Sequence, residues 1–140
     1  MRIVIDTNVV IDIFQRREPF FTDSYRALNL ATNDENSECL FSVTAVTDVF
    51  YLLRKVFKSA DKAKHKIEVL SQLVTFAEVQ AIDIFNALLQ PMSDFEDSVV
   101  NAVAERYEAD YILTRNTKDF STSVIPAITP TELLKIFDAD

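Results

Sequence analysis

Four short stretches of this 140-residue chain carry carboxylates where a carboxylate can do chemistry. Asp6 ends the apolar run Ile3-Val4-Ile5 and begins Asp6-Thr7-Asn8, while Thr114-Arg115-Asn116-Thr117-Lys118-Asp119 follows the apolar Tyr111-Ile112-Leu113. Asp94-Phe95-Glu96-Asp97 opens a helical pattern, and Asp48 lies inside another, Thr44 to Lys55. Taken singly, most have a plain structural explanation. Asp6 or Thr7 can cap a helix, the Asp119 stretch can be a turn, and Asp94, Glu96 and Asp48 can answer a helix macrodipole. Asp97 is harder to explain that way, because Asn101 and Ala104 follow it at helical spacing beside Val99, Val100 and Val103. A carboxylate next to buried valines needs a partner, and a metal ion is one. Two acids at carboxyl ends of strands and two near helix starts can converge, and oxygen ligands of this kind suit Mg²⁺ or Mn²⁺.

Other chemistries are excluded by missing residue types. With no Gly in the chain, a Walker loop, a G-x-G-x-x-G turn and a G-x-S-x-G nucleophile elbow cannot form. A single Cys, Cys39, and a single His, His65, exclude an internal disulfide, a Cys/His zinc site and the H-E-x-x-H pair. A reducing, cytoplasmic setting is the simplest expectation. No apolar run reaches the ~18–20 residues of a membrane span, and Asp6 interrupts the first one too early for a signal peptide, so no membrane partner is expected. The net charge of −8 argues against broad, salt-driven adhesion to nucleic acid, though not against a local cation site.

The elements that must position these acids follow from hydrophobic periodicity. Arg2 to Ile5 reads as a strand, then Val9, Val10, Ile13 and Phe14 as a helix ending near Arg16-Arg17. Pro19 suits the first turn of a second helix carrying Phe20, Phe21, Tyr25, Leu28 and Leu30, with these aromatics read as core. Cys39 to Val43 reads as a buried strand. Thr44 is the expected N-cap of a helix with Val46, Val49, Phe50, Leu53, Val56 and Phe57 inward. A basic amphipathic helix from about Ala60 turns Ile67, Leu70, Leu73 and Val74 to one side and Lys62, Lys64, His65 and Lys66 outward. Ala77 to Ile82 is a third strand, Asp83 to Leu89 a short helix, and a further helix enters at Pro91 to Ser93 and runs to about Glu108. Tyr111 to Thr114 is a strand, Val124 to Ile128 a short run, and Pro130 opens the last helix. Strands alternating with helices, without a long linker or repeat, predict one α/β domain over residues 1–140, with a mainly parallel sheet of about five strands flanked by helices. Ligands of such sheets bind at the carboxyl ends of strands, where the strand order reverses.

With these motifs in this order, the chain resembles the PIN-domain nucleases, most closely the small prokaryotic VapC-like group. The resemblance rests on Ile3-Val4-Ile5-Asp6-Thr7-Asn8, Thr47-Asp48-Val49-Phe50-Tyr51-Leu52-Leu53-Arg54-Lys55, Asp94-Phe95-Glu96-Asp97-Ser98 and Thr114-Arg115-Asn116-Thr117-Lys118-Asp119-Phe120. It implies a metal-dependent ribonuclease whose catalytic positions fall on Asp6, Asp48, Asp97 and Asp119. Asp6, Asp97 and Asp119 would hold Mg²⁺ or Mn²⁺. The family commonly has Glu where this chain has Asp48, so the shorter side chain is expected to act through water, and Asp94 can be a fifth member. Thr7, Thr114 and Asn116 would orient carboxylates or phosphate, with Asn101 as a further supporting residue. Arg16, Arg17, Arg54, Lys55 and Arg115 would contact the RNA backbone. The resemblance also implies a homodimer and, for toxins, a cognate antitoxin.

Two other classes remain open. One is a PIN-like nucleic-acid-binding protein with little or no catalysis. The other is a small-molecule phosphatase of the haloacid-dehalogenase or receiver type, which needs a second Asp at position 8, where Asn stands, or an adjacent acidic pair, where Ile5 stands.

Overall fold

Ile3, Val4 and Ile5 are each no more than 1% exposed, as expected of a central strand in a sheet covered on both faces. In the computed structural model, which describes residues 1–139, this strand is β1 (Arg2–Ile5). The sheet order is β3-β2-β1-β4-β5, with β2 (Glu38–Ser42), β3 (Thr75–Ala77), β4 (Tyr111–Leu113) and β5 (Ala127–Ile128), and every pairing is parallel. Parallel neighbours need crossovers. Helices α1 (Thr7–Phe14) and α2 (Phe21–Asn33) join β1 to β2; α3 (Val43–Phe57) and α4 (Ala60–Leu73) join β2 to β3. α5 (Ala81–Leu88) and α6 (Phe95–Arg106) lead back to β4, a 3-10 turn (Thr117–Phe120) precedes β5, and α7 (Pro130–Asp138) follows it.

Side chains alternate across each strand, so two cores form. Ile3, Ile5, Cys39, Phe41 and Leu113 pack with α1 to α4 and α7. Val4, Leu40 and Ile112 face the opposite way, against α5 and α6. Cys39 is one of the buried side chains, and burial pushes its thiol up to about 11, so it is inert core rather than a nucleophile.

The chain moves outward from β1 to β3 and then returns to the other flank of β1. The strand order therefore reverses between β1 and β4, and α1, α3 and α6 all present their N-terminal ends at the carboxyl edge there. α6 is held in place by a part-buried ion pair. Arg106 Nε donates to Asp83 Oδ1 and Nη2 to Asp83 Oδ2, both at 2.9 Å, while Asp83 is fully buried.

Several boundaries differ from the sequence reading. β3 ends at Ala77, and Ile82 belongs to α5, because Asp83 accepts the Gln80 N–H at 2.8 Å in a capping box that ends the extended segment. α3 is capped by Ser42, whose hydroxyl accepts from the Ala45 N–H at 3.3 Å, not by Thr44. α2 starts two residues after Pro19, and α6 stops at Arg106. Phe20, Tyr25, Leu30, Val56 and Leu73, expected inside, are at least 38% exposed. Lacking glycine, the chain puts Arg16, Lys58 and Glu108 at positive φ just past the ends of α1, α3 and α6.

Candidate active site

Asp6 follows β1 directly and keeps extended backbone angles, with its N–H still bonded to the Leu113 carbonyl at 2.9 Å. Its side chain therefore leaves the sheet at the carboxyl edge. At 8% exposure the carboxylate needs donors. Oδ1 accepts the Thr7 N–H at 2.8 Å; Oδ2 accepts the Thr114 hydroxyl at 2.8 Å and the Asn8 amide at 3.2 Å. Asp6 thus caps α1 and also faces the crevice. Thr114, fully buried just past β4, accepts the Asn116 N–H at 3.1 Å and the Asn8 amide at 3.3 Å, so Asn116 acts here through its backbone. Asn8 further accepts the Arg115 N–H at 3.1 Å. The segments after β1 and after β4 are thus pinned around one carboxylate.

α6 brings the next acids. Asp94 is its N-cap, accepting the Asp97 N–H at 3.1 Å, and the Thr7 hydroxyl reaches Glu96 Oε1 at 3.5 Å. Asp97 is half-buried, and its carboxyl is pushed up to about 7, first by burial and then by Asp6, Asp94, Asp119 and Glu96. Burial also raises Asp6 against the hydrogen bonds from Thr114 and Thr7, and Asp119 and Asp94 raise it further. Glu96 is raised by desolvation and by Asp48, Asp6 and Asp94. Asp48, exposed on α3, thus faces the group through Glu96.

Six carboxylates therefore share one edge of the sheet. None forms an ion pair with Lys, Arg or His among the described residues. Among those residues no three acidic, His or Cys side chains stand in ligating positions around one point. The donors are nonetheless all hard oxygens that repel one another, which is the chemistry a divalent cation such as Mg²⁺ or Mn²⁺ relieves. Asp6, Asp97 and Asp119 could hold it.

The remaining expected residues are placed less uniformly. Asn101 is buried in α6, where its amide donates to Gln90 and Glu105 at 3.2 and 3.4 Å rather than to an acid of the crevice. Arg54 and Lys55 are exposed in the last turn of α3, about 9–10 Å further along the axis than Asp48. Arg16 lies 5.9 Å over the Phe21 ring, and Arg17 Nε is 3.9 Å from Asp12. Arg115 is tied to the buried Asp12, Nε to Oδ2 at 2.8 Å. Sequence reasoning missed Glu96, which a helix dipole explained too easily, and Asn8, whose place in Asp6-Thr7-Asn8 was the available signal.

Known structures share this fold. A chain of the VapBC2 complex of Rickettsia felis, bound to a DNA fragment from its promoter, superposes with a TM-score of 0.69 at 15% identity, covering 92% of this chain and 98% of that one. A chain of VapBC-1 from nontypeable Haemophilus influenzae gives 0.68 at 16% identity, covering 94% and 99%. VapC20 of Mycobacterium tuberculosis, a sarcin-ricin loop cleaving toxin, gives 0.61 at 17%, covering 79% and 86%. No curated protein sequence matches significantly. The sequence pattern of the PIN domain matches residues 2–118, and the chain belongs to the PIN domain family.

Proposed function

We propose that this protein is a divalent-metal-dependent ribonuclease that hydrolyses RNA phosphodiester bonds, as the toxin of a toxin–antitoxin pair. The observation that carries the reading is the gathering of Asp6, Asp48, Asp94, Glu96, Asp97 and Asp119 at the edge where the strand order reverses, with no cationic side chain paired to any of them among the described residues; burial first and then its acidic neighbours lift the Asp97 carboxyl to about 7. A perturbed acid in a crevice at the switch point of a parallel sheet marks a site rather than a fold-stabilising pair.

A bound Mg²⁺ or Mn²⁺ would supply Lewis-acid stabilisation of the phosphate and lower the pKa of water. The chain's own residues do the positioning. Thr114 and the Thr7 N–H fix the two oxygens of Asp6, Asn8 locks Thr114 to that carboxylate, and the Thr7 hydroxyl leans on Glu96. Asp97 and Asp119 would complete the ligand set, with Asp48 outside it.

Support for an antitoxin partner comes from structural relatives described as VapBC and toxin–antitoxin complexes. A homodimer is supported by the outer face of α5 and the residue after it, where Ile82, Phe85, Leu88 and Leu89 are 49 to 83% exposed. No helix among the described residues is long and apolar enough to cross a membrane, and the reading places the protein in the cytoplasm.

The test is cleavage of labelled single-stranded RNA by chelator-stripped protein titrated with Mn²⁺ or Mg²⁺. Activity that is absent in chelator and restored by metal supports the reading. Full cleavage by the stripped protein would sink it.

A further inference from the structure

Beside the acidic crevice lies a cavity of about 210 Å³ with Arg115 in its wall. Phe20 and Pro130 give it apolar surface, while Asp23, Ser24 and Thr131 add polar groups. Arg115 is the shared element: its N–H bonds to Asn8, which in turn bonds to Asp6.

The arginine is built in rather than free. Asp12 is fully buried and takes Arg115 Nε at 2.8 Å, and the guanidinium carbon sits 4.4 Å above the centre of the Phe20 ring. Burying a carboxylate is costly unless it is paired, and the pairing of Asp12 with Arg115 holds the guanidinium in place. Arg115 keeps a quarter of its side chain exposed, leaving guanidinium surface available to a ligand.

The lining selects the ligand class. A phosphate would meet Asp23, whose charge offsets that of Arg115, and an aliphatic group would strand both. The Thr131 hydroxyl already donates to Asp23 Oδ2 at 2.6 Å and the guanidinium covers one face of the Phe20 ring, so a planar, uncharged group stacks on the outer side of that pair, with Asp23 Oδ1 open to its donors and the Arg115 Nη groups to its acceptors. The volume lies below the about 300–1,000 Å³ of pockets for drug-sized ligands, which leaves room for a single ring system. Unstacked RNA bases are held in this way, on aromatic rings and arginine planes.

We propose that this cavity receives one unstacked base of single-stranded RNA, from a nucleotide neighbouring the phosphate presented to Asp6. The proposal deepens the ribonuclease reading and rests on it for the identity of the polymer. Short RNAs carrying 2-aminopurine at each position in turn are titrated onto the Asp97→Asn protein, so that binding is read without cleavage. One position is expected to change fluorescence on binding, and that response should need about tenfold or more RNA in Phe20→Leu and in Asp23→Asn. Phe20→Leu keeps apolar bulk without the ring, and thermal unfolding run alongside confirms that both variants fold.

A response equal at every position, or one unchanged in both variants, overturns the proposal and leaves the cavity to a protein partner. Cleavage by the unsubstituted protein is scored separately. A position-specific, Phe20-dependent signal without cleavage keeps the base pocket and removes the nuclease reading, and the reverse result does the opposite.

Discussion

The Thr114 hydroxyl donates to Asp6 Oδ2 at 2.8 Å, joining residues 108 positions apart at the one place where the strand order reverses. Both groups are buried, so the bond fixes the direction of the carboxylate as well as satisfying it. Thr114→Val should therefore lower RNA cleavage and metal affinity about 10- to 100-fold, as loss of a ligand's orienting partner does. Thr114→Ser should restore most of both. Metal titration with single-turnover cleavage checks it, and an unchanged Thr114→Val would mean that Asp6 needs no orientation.

Asp97 gives a pH prediction. With its carboxyl lifted to about 7 in the metal-free protein, the folded state binds this proton more tightly than the unfolded chain does. Its contribution to stability is complete below the ordinary Asp value near 4 and is lost as pH rises through about 7. The melting temperature of metal-free protein should fall across that interval. Asp97→Asn should flatten the fall, and saturating Mn²⁺ should reverse it above about pH 7. A melting temperature that climbs across this interval in the unsubstituted protein and not in Asp97→Asn would assign the opposite sign to Asp97.

Asp48 and Glu96 form a second relationship with separable outcomes. Asp48 acts on Glu96, and Glu96 acts on Asp97, so Asp48 is one step removed from the proposed ligands. Asp48→Ala should weaken Mn²⁺ binding less than Asp6→Ala, and Asp48→Glu should be tolerated. If Asp48 serves only α3, its removal costs a few tenths to ~1 kcal/mol and leaves affinity and cleavage unchanged. Mn²⁺ titration beside thermal unfolding separates the two.

The part-buried pair Asp83–Arg106 sets the seat of α6 and hence of three acids. Asp83→Ala would leave the part-exposed Arg106 with Glu78 alone and open the capping box, at a cost of about 1–3 kcal/mol. Chemical denaturation measures it. A loss below about 1 kcal/mol would show that packing alone holds α6.

The central strands were legible in the sequence because burial on both faces writes a continuous apolar run, as in Ile3-Val4-Ile5 and Cys39-Leu40-Phe41. The edge strand β3 was misplaced because it is short, and what ends it is a carboxylate anchored by Arg106, 23 residues away. Asp97 stood out through its unusual surroundings, whereas Asp6, explicable alone as a helix cap, stood out only through its place at the end of a strand and in the order of the motifs. Glu96 did not, since nothing local distinguishes it from an ordinary first-turn acid; only Thr7, from the far end of the chain, does. Asp12 was equally silent, an acid in an apolar helix whose reason is Arg115.

The most direct measurement is single-turnover cleavage of single-stranded RNA by Asp6→Asn and Asp97→Asn at saturating Mn²⁺, with metal-free melting temperatures recorded on the same preparations. Removing one charge from a crowd of like charges should hold or raise the melting temperature of Asp97→Asn, Asp6→Asn should melt lower because one amide oxygen cannot accept from Thr7, Thr114 and Asn8 together, and loss of a ligand should lower cleavage at least about 100-fold in both. Cleavage at the unsubstituted rate in both variants would contradict the account and put the chemistry elsewhere on the molecule.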